Sequence, residues 1–434
     1  LINIGTLTPD KVRYYKDAIA LAKKHEVPIV LDPVGCHAGA YRLSVVLDLI
    51  KTGAISLLRG NQSEIKAIYD ALSPNNQIDT STTGKGVDGV QVEDSAVMTY
   101  RLARLINCPV VATGEEDYVS DGTRIFAVPH GHPIMTAVTG TGCLLGAVLA
   151  AFFSAYQPCK NTLSIGEFLA YALAYYGLAG ESAVQVSGVK PGSFGVAFMD
   201  SLYTLDDTML VSENRIRPIV VSDQLQVYFV CGTQDTGFNK KRLLEIVEEA
   251  CRGGVTCFQF REKGDGTLEG QQKLELAQQL QHICAKYDVL FIVNDDVELA
   301  VAVNADGVHV GQDDMRLEDV RHLVGHKVVG ISIHSVEELR KTDVVYADCV
   351  GVGPMYATSS KPDAQEPCGP ERISELQAKG LTLPCVGIGG ITLDNTRVVL
   401  RAGACGVAVI SAIAHAEKPY EATRQFKQLV SNSQ

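Results

Sequence analysis

The stretch Val255 to Lys263, VTCFQFREK, places three polar side chains at alternate positions of an otherwise apolar segment. Successive strand residues point to opposite faces, so Gln259, Arg261 and Lys263 emerge together while Phe258 and Phe260 point the other way. Two cations and an amide converging on one spot suit a phosphate or pyrophosphate, which arginine clasps through two N–H groups and lysine meets as a point charge. The competing reading is an edge strand whose charges face water, where Arg and Lys usually sit.

An element pattern that could position this cluster runs from Leu225 onward. Eight short apolar runs recur near 227–231, 256–260, 290–293, 307–310, 328–331, 349–352, 385–388 and 406–410, with helical stretches such as 241–250 and 268–286 between many of them. Eight strands in about 210 residues match a compact (β/α)8 barrel, which catalyses at the carboxyl ends of its strands; a doubly wound sheet is the alternative. Polar residues follow the runs: Asn294 and Asp295, then Gln312, Asp313 and Asp314, then Ser332 and His334, then Thr358, Ser360 and Lys361. Gly389 in a GIGG turn and Ile410-Ser411 close the circle. Aspartates from neighbouring strand ends are hard oxygen ligands suited to Mg²⁺, and backbone N–H groups after the last two strands commonly hold phosphate. Taken alone, an Asp after a strand is more often a helix cap; as a set these residues describe two anion pockets, one with metal.

The first half follows βαβ grammar: a strand end at 1–6, an amphipathic helix at 10–24, a buried strand at 28–31, and strands near 54–58 and 110–113. A mostly parallel sheet with helices outside is expected, with its site at the strand ends, where Asn3, Asp32, Arg59, Asn61, Glu64 and Thr113 stand. The run VTGTGCLLGAVL, 138–149, sets Gly140 and Gly142 before an apolar helix, so that free N–H groups and the helix dipole face one point. Cys143 stands at that helix start, where a thiol is activated; its alternative role is a small buried hydrophobe. His130 and His132 in PHGHP read as a surface loop without a metal role. Residues 208–223 turn polar without a period, which marks a domain junction.

At 434 residues the chain is expected to form two large domains. Its 46% hydrophobic and 20% charged residues are ordinary for a soluble α/β protein. A formal charge of −12 argues against nucleic-acid or anionic-membrane partners, so phosphate affinity must be local. No run of 18 apolar residues suggests a membrane span. The 12 cysteines are scattered, without zinc-type spacing, which points to free thiols in a reducing cytoplasm. The chain opens at Leu1 in a strand-to-turn already in progress, and a truncated start is expected.

Asn3-Ile4-Gly5-Thr6, Leu31-Asp32-Pro33-Val34-Gly35, Arg59-Gly60-Asn61 with Glu64, Thr113-Gly114-Glu115 with Asp117-Tyr118, the TGTGC of 139–143 and the KPGSFGVAF of 190–198 resemble hydroxyethylthiazole kinase, a ribokinase-like enzyme of thiamine salvage, over about 1–211. The resemblance implies that Arg59 and Thr113 contact ATP and that Asn61 and Glu64 help hold Mg²⁺, directly or through water. It places Gly140 at the thiazole alcohol and Cys143 where most ribokinase-like enzymes carry an aspartate base. Family members have a further N-terminal segment that helps build an intersubunit site in a trimer. A homo-oligomer is therefore expected, together with a kinase half whose activity depends on that further segment.

QFREK, VNDDVELA, ADGVHVGQDD, GVGPMYATSSK and VGIGGI resemble thiamine phosphate synthase over 225–434. That resemblance implies that Gln259, Arg261, Lys263, Asn294 and Lys361 bind the pyrophosphate of an aminopyrimidine substrate and that Ser332 binds the same substrate. Asp295 and Asp314 would hold Mg²⁺, and Thr358, Ser360, Gly389, Ile410 and Ser411 the thiazole phosphate. Arg261, Lys263 and Lys361, with Cys143 in the other half, would act in catalysis. The expected chain is thus a ribokinase-like α/β domain at 1–211, a linker at 212–224 and a (β/α)8 TIM barrel at 225–434. Its substrates would be hydroxyethylthiazole and its phosphate, aminopyrimidine pyrophosphate and ATP. The alternatives are a barrel acting as a thiazole tautomerase and a non-catalytic thiamine-phosphate-binding regulator; the QFREK cluster with both aspartates favours the synthase.

Overall fold

The computed structural model describes residues 1–73, 92–157, 163–358 and 366–433. Ser360 and Lys361 lie outside the described residues. The chain divides into two compact units, Leu1–Ile219 and Val220–Gln434.

In the first unit β1 (Ile2–Asn3), β2 (Val30–Asp32), β3 (Leu57–Asn61), β4 (Val110–Thr113), β5 (Asp117–Ser120), β6 (Ile125–Val128) and β7 (Arg217–Pro218) lie side by side in that order. Neighbours from β1 to β4 pair in parallel; those from β4 to β7 pair antiparallel. The sheet is therefore mixed, less parallel than the sequence pattern implied. The β5–β6 hairpin escapes a reading based on apolar runs because each strand has four residues, and its signal lies in the turn. There Asp121 Oδ1 accepts from Thr123 N and Arg124 N at 3.0 and 2.8 Å, the local bonding that makes Asp a turn residue.

Helices α1 (Pro9–Lys24), α2 (Ala40–Ile50), α3 (Gln62–Leu72), α4 (Val92–Ile106), α5 (Thr141–Ala155), α6 (Ile165–Ser187), α7 (Pro191–Thr204) and α8 (Asp207–Ser212) complete the unit. The start of α1 shows why it forms where it does: the Thr8 hydroxyl accepts from Lys11 N, Pro9 opens the helix, and Lys23 and Lys24 stand in its last turn. One core joins Val30, Leu57, Val111 and Phe126 of the sheet to Leu149, Leu173, Phe194 and Phe198 of the helices.

Two local readings change. Within 212–224, Arg217 and Pro218 extend the sheet by pairing with Ala127 and Phe126. His130, expected in a surface loop, has a fully buried side chain. It lies 2.9 Å from Arg215 Nη2 through Nδ1 and accepts from Arg215 N at 3.2 Å through Nε2. Burial, and then Arg215, hold its pKa below the ordinary histidine value.

The second unit is a closed barrel of parallel strands β8 (Val227–Cys231), β9 (Cys257–Phe260), β10 (Leu290–Asn294), β11 (Gly307–Val310), β12 (Val328–Ile333), β13 (Cys349–Val352), β14 (Cys385–Ile388) and β15 (Gly406–Val409). All eight coincide with the apolar runs within two residues at each end. Helices α9 (Lys240–Gly253), α10 (Gly270–Lys286), α11 (Val297–Ala302), α12 (Leu317–Val324), α13 (Val336–Lys341), α14 (Glu371–Ala378), α15 (Thr396–Arg401), α16 (Ser411–Ala414) and α17 (Pro419–Ser431) follow their strands. Alternate residues split between two cores. Phe229, Phe258, Phe260 and Phe291 face the helices with Leu243, Ile246 and Leu280, while Tyr228, Val230, Cys257, Ile292 and Ala408 fill the barrel axis. Strand β9 pairs on both sides, with β8 and β10, so the edge-strand reading falls. Among the described residues no helix is long and apolar enough to cross a membrane.

Phe258 has no exposed surface and packs between Phe229 and Phe291 at ring-centroid distances of 5.6 and 6.2 Å. Phe258→Ala is expected to destabilise the barrel by about 3–5 kcal/mol in urea unfolding. A cost below about 0.5 kcal/mol, typical of a surface change, would contradict this placement.

Candidate active sites

In the first unit the carboxyl ends of β1 to β4 bring Asn3, Asp32, Arg59 and Thr113 together opposite the start of α5. Arg59 Nη2 donates to Thr113 Oγ1 at 3.1 Å, and its Nη1 lies 3.5 Å from Asp32 Oδ1. Asn3 Nδ2 donates to Asp32 Oδ2 at 2.8 Å and reaches Cys143 Sγ at 3.4 Å. Cys143 is exposed, so it is not the buried hydrophobe of the alternative reading. Gly140 has φ 98° and a Cβ there would point into open space, so the helix start needs glycine and leaves room for a ligand.

Asn61 and Glu64 also meet, as a capping box at the start of α3. Asn61 Oδ1 accepts from Glu64 N and Glu64 Oε2 from Asn61 N, both at 2.8 Å. Glu64 Oε1 accepts from Gly35 N at 2.7 Å. Both carboxylate oxygens are thus engaged by backbone. Asp32, named by the strand-end rule but given no role by the resemblance, is fully buried. Burial pushes its pKa up to about 6 against the lowering effect of Arg59, with Glu64 adding to the rise.

In the barrel, Gln259 points to the axis and its Nε2 donates to Tyr228 Oη at 3.0 Å. Arg261 is half-buried just past the end of β9, its N–H donating to Cys231 O at 3.1 Å. Lys263 Nζ pairs with Asp295 Oδ2 at 2.5 Å, and that bond raises the lysine pKa. Asp295, with φ 61° after β10, lies within hydrogen-bonding reach of Asp314. Burial and Asp314 raise its pKa while Lys263 lowers it. Asp314 is oriented by Gly311 N, which donates to its Oδ2 at 2.7 Å. Asn294 ends β10 and Ser332 lies in β12. Thr358 and Ile410 are half-buried and Ser411 is exposed, while Gly389 takes φ 95°.

His309 escapes a motif-based reading, although the alternation used at β9 would find it. Val308 and Val310 face the helices, so Gly307 and His309 face the axis. His309 Nε2 lies 3.0 Å from Ser332 Oγ. A Cβ at Gly330 would come within 2.3 Å of its ring, so glycine makes room for it.

A wound α/β unit with a Gly-rich helix start, followed by a barrel whose cationic strand end stands with paired carboxylates, suits a two-domain transferase acting on small molecules. Two family models match the chain, "Hydroxyethylthiazole kinase family" over residues 1–208 and "Thiamine monophosphate synthase" over 227–413. The chain is 36% identical over 430 residues, 98% of its length and 85% of the relative's, to the thiamine biosynthesis bifunctional protein ThiM/ThiE of Symbiobacterium thermophilum. Its barrel half is 53% identical over 205 residues to thiamine-phosphate synthase of Geobacillus thermodenitrificans, covering 47% of this chain and 91% of that one. The chain belongs to the family of bifunctional kinase and thiamine-phosphate synthase proteins of thiamine biosynthesis.

The buried carboxyl of Asp32 has a pH signature. A folded pKa near 6 against an ordinary 3.8 corresponds to at most about 3 kcal/mol. Because the folded value is the higher one, this stability is fully present below about pH 4 and is lost as pH rises through about 6. Asp32→Asn is expected to remove that slope in urea unfolding between pH 4 and 8, whatever its constant offset. An unchanged slope would show that Asp32 is not its source.

Proposed function

We infer that the chain carries two consecutive steps of thiamine biosynthesis. The first unit phosphorylates hydroxyethylthiazole with ATP, and the barrel joins thiazole phosphate to aminopyrimidine pyrophosphate, releasing pyrophosphate and giving thiamine phosphate. The observation that carries this reading is the Lys263–Asp295 contact, with Arg261 and Asp314 close enough to act on Lys263.

Asp314 raises the pKa of the neighbouring Asp295, and an oxygen pair of this kind suits Mg²⁺ held also by substrate phosphate. Asp295 and Asp314 would hold the ion, which when bound neutralises charge on the departing pyrophosphate. Gln259, Arg261, Lys263 and Asn294 bind that pyrophosphate, and Lys361 joins them in this reading. Ser332, backed by His309, orients the pyrimidine. Thr358, Ser360, Gly389, Ile410 and Ser411 receive the thiazole phosphate. Pyrophosphate leaves first, and the thiazole nitrogen captures the pyrimidinyl cation.

In the kinase unit the requirement is positioning and charge neutralisation. Arg59 and Thr113 contact ATP, Gly140 borders the alcohol, and Cys143 orients or deprotonates it. The capping box already occupies both Glu64 oxygens and Asn61 Oδ1, which favours contact with Mg²⁺ through water over direct ligation. A cytoplasmic setting, with thiols such as Cys257 and Cys284 kept reduced, and self-association of the first unit belong to the same reading.

Asp295→Ala or Asp314→Ala is expected to lower pyrophosphate release at least about 100-fold with circular dichroism retained. Near-normal turnover at saturating Mg²⁺ would exclude the metal assignment. In a chain carrying the further N-terminal segment, Cys143→Ala should slow ATP-dependent phosphorylation of the alcohol while leaving the melting temperature in place, since the side chain is exposed. An unchanged rate would remove Cys143 from the chemistry.

A further inference from the structure

Between the two cations of QFREK stands Glu262, to which neither the strand-end rule nor the resemblance gives a role. It is 8% exposed, and alternation turns it away from its neighbours. Its carboxylate takes three donors: Thr233 N at 2.9 Å on Oε2, and Leu268 N at 2.9 Å with the Thr233 hydroxyl on Oε1. Thr233 opens the short 3-10 turn Thr233–Thr236 that follows β8, and Leu268 lies in the loop that leads into α10. One carboxylate therefore ties together the segments flanking the pyrophosphate-binding strand end. The same turn grips Arg261 directly, because Gln234 Nε2 donates to Arg261 O at 2.7 Å, while Arg261 N donates to Cys231 O at the end of β8 at 3.1 Å.

We propose that Glu262 is a positioning residue for the synthase reaction, fixing Arg261 and Lys263 at the spacing the substrate pyrophosphate requires. The three bonds end on turns at the barrel mouth rather than on the helices or the barrel axis, so their loss displaces the cations before it loosens the core. Lys263 depends on them most, since its side chain is 49% exposed and the chain leaves the sheet just before it. A shift of about 1 Å at such a site costs on the order of 100-fold.

The inference rests on the synthase reading, and the assay separates the two. In the full chain, Glu262→Gln keeps the volume but turns an amide N–H toward a donor that in the native protein meets a carboxylate lone pair. We expect the KM for aminopyrimidine pyrophosphate and the inhibition constant of inorganic pyrophosphate to rise together by about 10- to 100-fold. The KM for thiazole phosphate and the melting temperature stay near wild type. Thr233→Val removes only the hydroxyl donor and should give a smaller change in the same two constants, which keeps the test available if Glu262→Gln folds poorly. Wild-type pyrophosphate constants in the folded variants, or equal rises for both substrates with a lowered melting temperature, would overturn the positioning role. A wild-type chain that releases no pyrophosphate would overturn both readings.

Discussion

Closure of the barrel is the constraint on which the synthase half depends. A parallel strand hydrogen-bonded on both sides has no solvent edge, so each residue faces either the axis or the helix shell. At β9 this sends Phe258 and Phe260 into the shell and Cys257 and Gln259 to the axis. The axis is filled by Val230, Ile292 and Ala408, which leaves charged groups a place only beyond the last ladder residue. Arg261, Lys263, Asp295 and Asp314 all stand there. The convergence of cations and carboxylates at one mouth is thus a consequence of packing as much as of chemistry.

The open sheet of the first unit solves the same problem differently. Its charged site residues are drawn down among the strand ends, where Asp32 has no exposed surface and Arg59 is 8% exposed. Such a pair is held at a cost in desolvation, and removing one partner leaves the other charge uncompensated. The raised pKa of Asp32 is the visible sign of that cost. Through Asn3 this carboxyl is linked to the exposed thiol of Cys143 at a glycine-lined helix start.

These differences explain what the sequence made legible. The barrel strands are short β-branched and aromatic runs buried on both faces, and such runs stand out between helices. Gln259, Arg261 and Lys263 were legible because polar side chains interrupt one run at period two. His309 follows the same period, yet one ring among valines looks like core. Space for it is made by Gly330 on the next strand, a contact that only register reveals. The β5–β6 hairpin hid because its evidence is a turn, and the burial of His130 hid because Arg215, which meets it, lies 85 positions further along.

Glu64 and Glu262 show why a residue's presence in a motif does not reveal its task. Both stand beside groups assigned to substrate, and both look like ligands when read as letters. In the structure each carboxylate is claimed by backbone: Glu64 by Gly35 and Asn61, Glu262 by Thr233 and Leu268. A carboxylate carries two acceptor oxygens and no donor, so it can satisfy donors from two separate segments at once without itself needing an acceptor. That capacity suits it to join loops at strand ends, where the sheet no longer supplies partners. In both units, then, an acidic residue holds loops in place beside the cations.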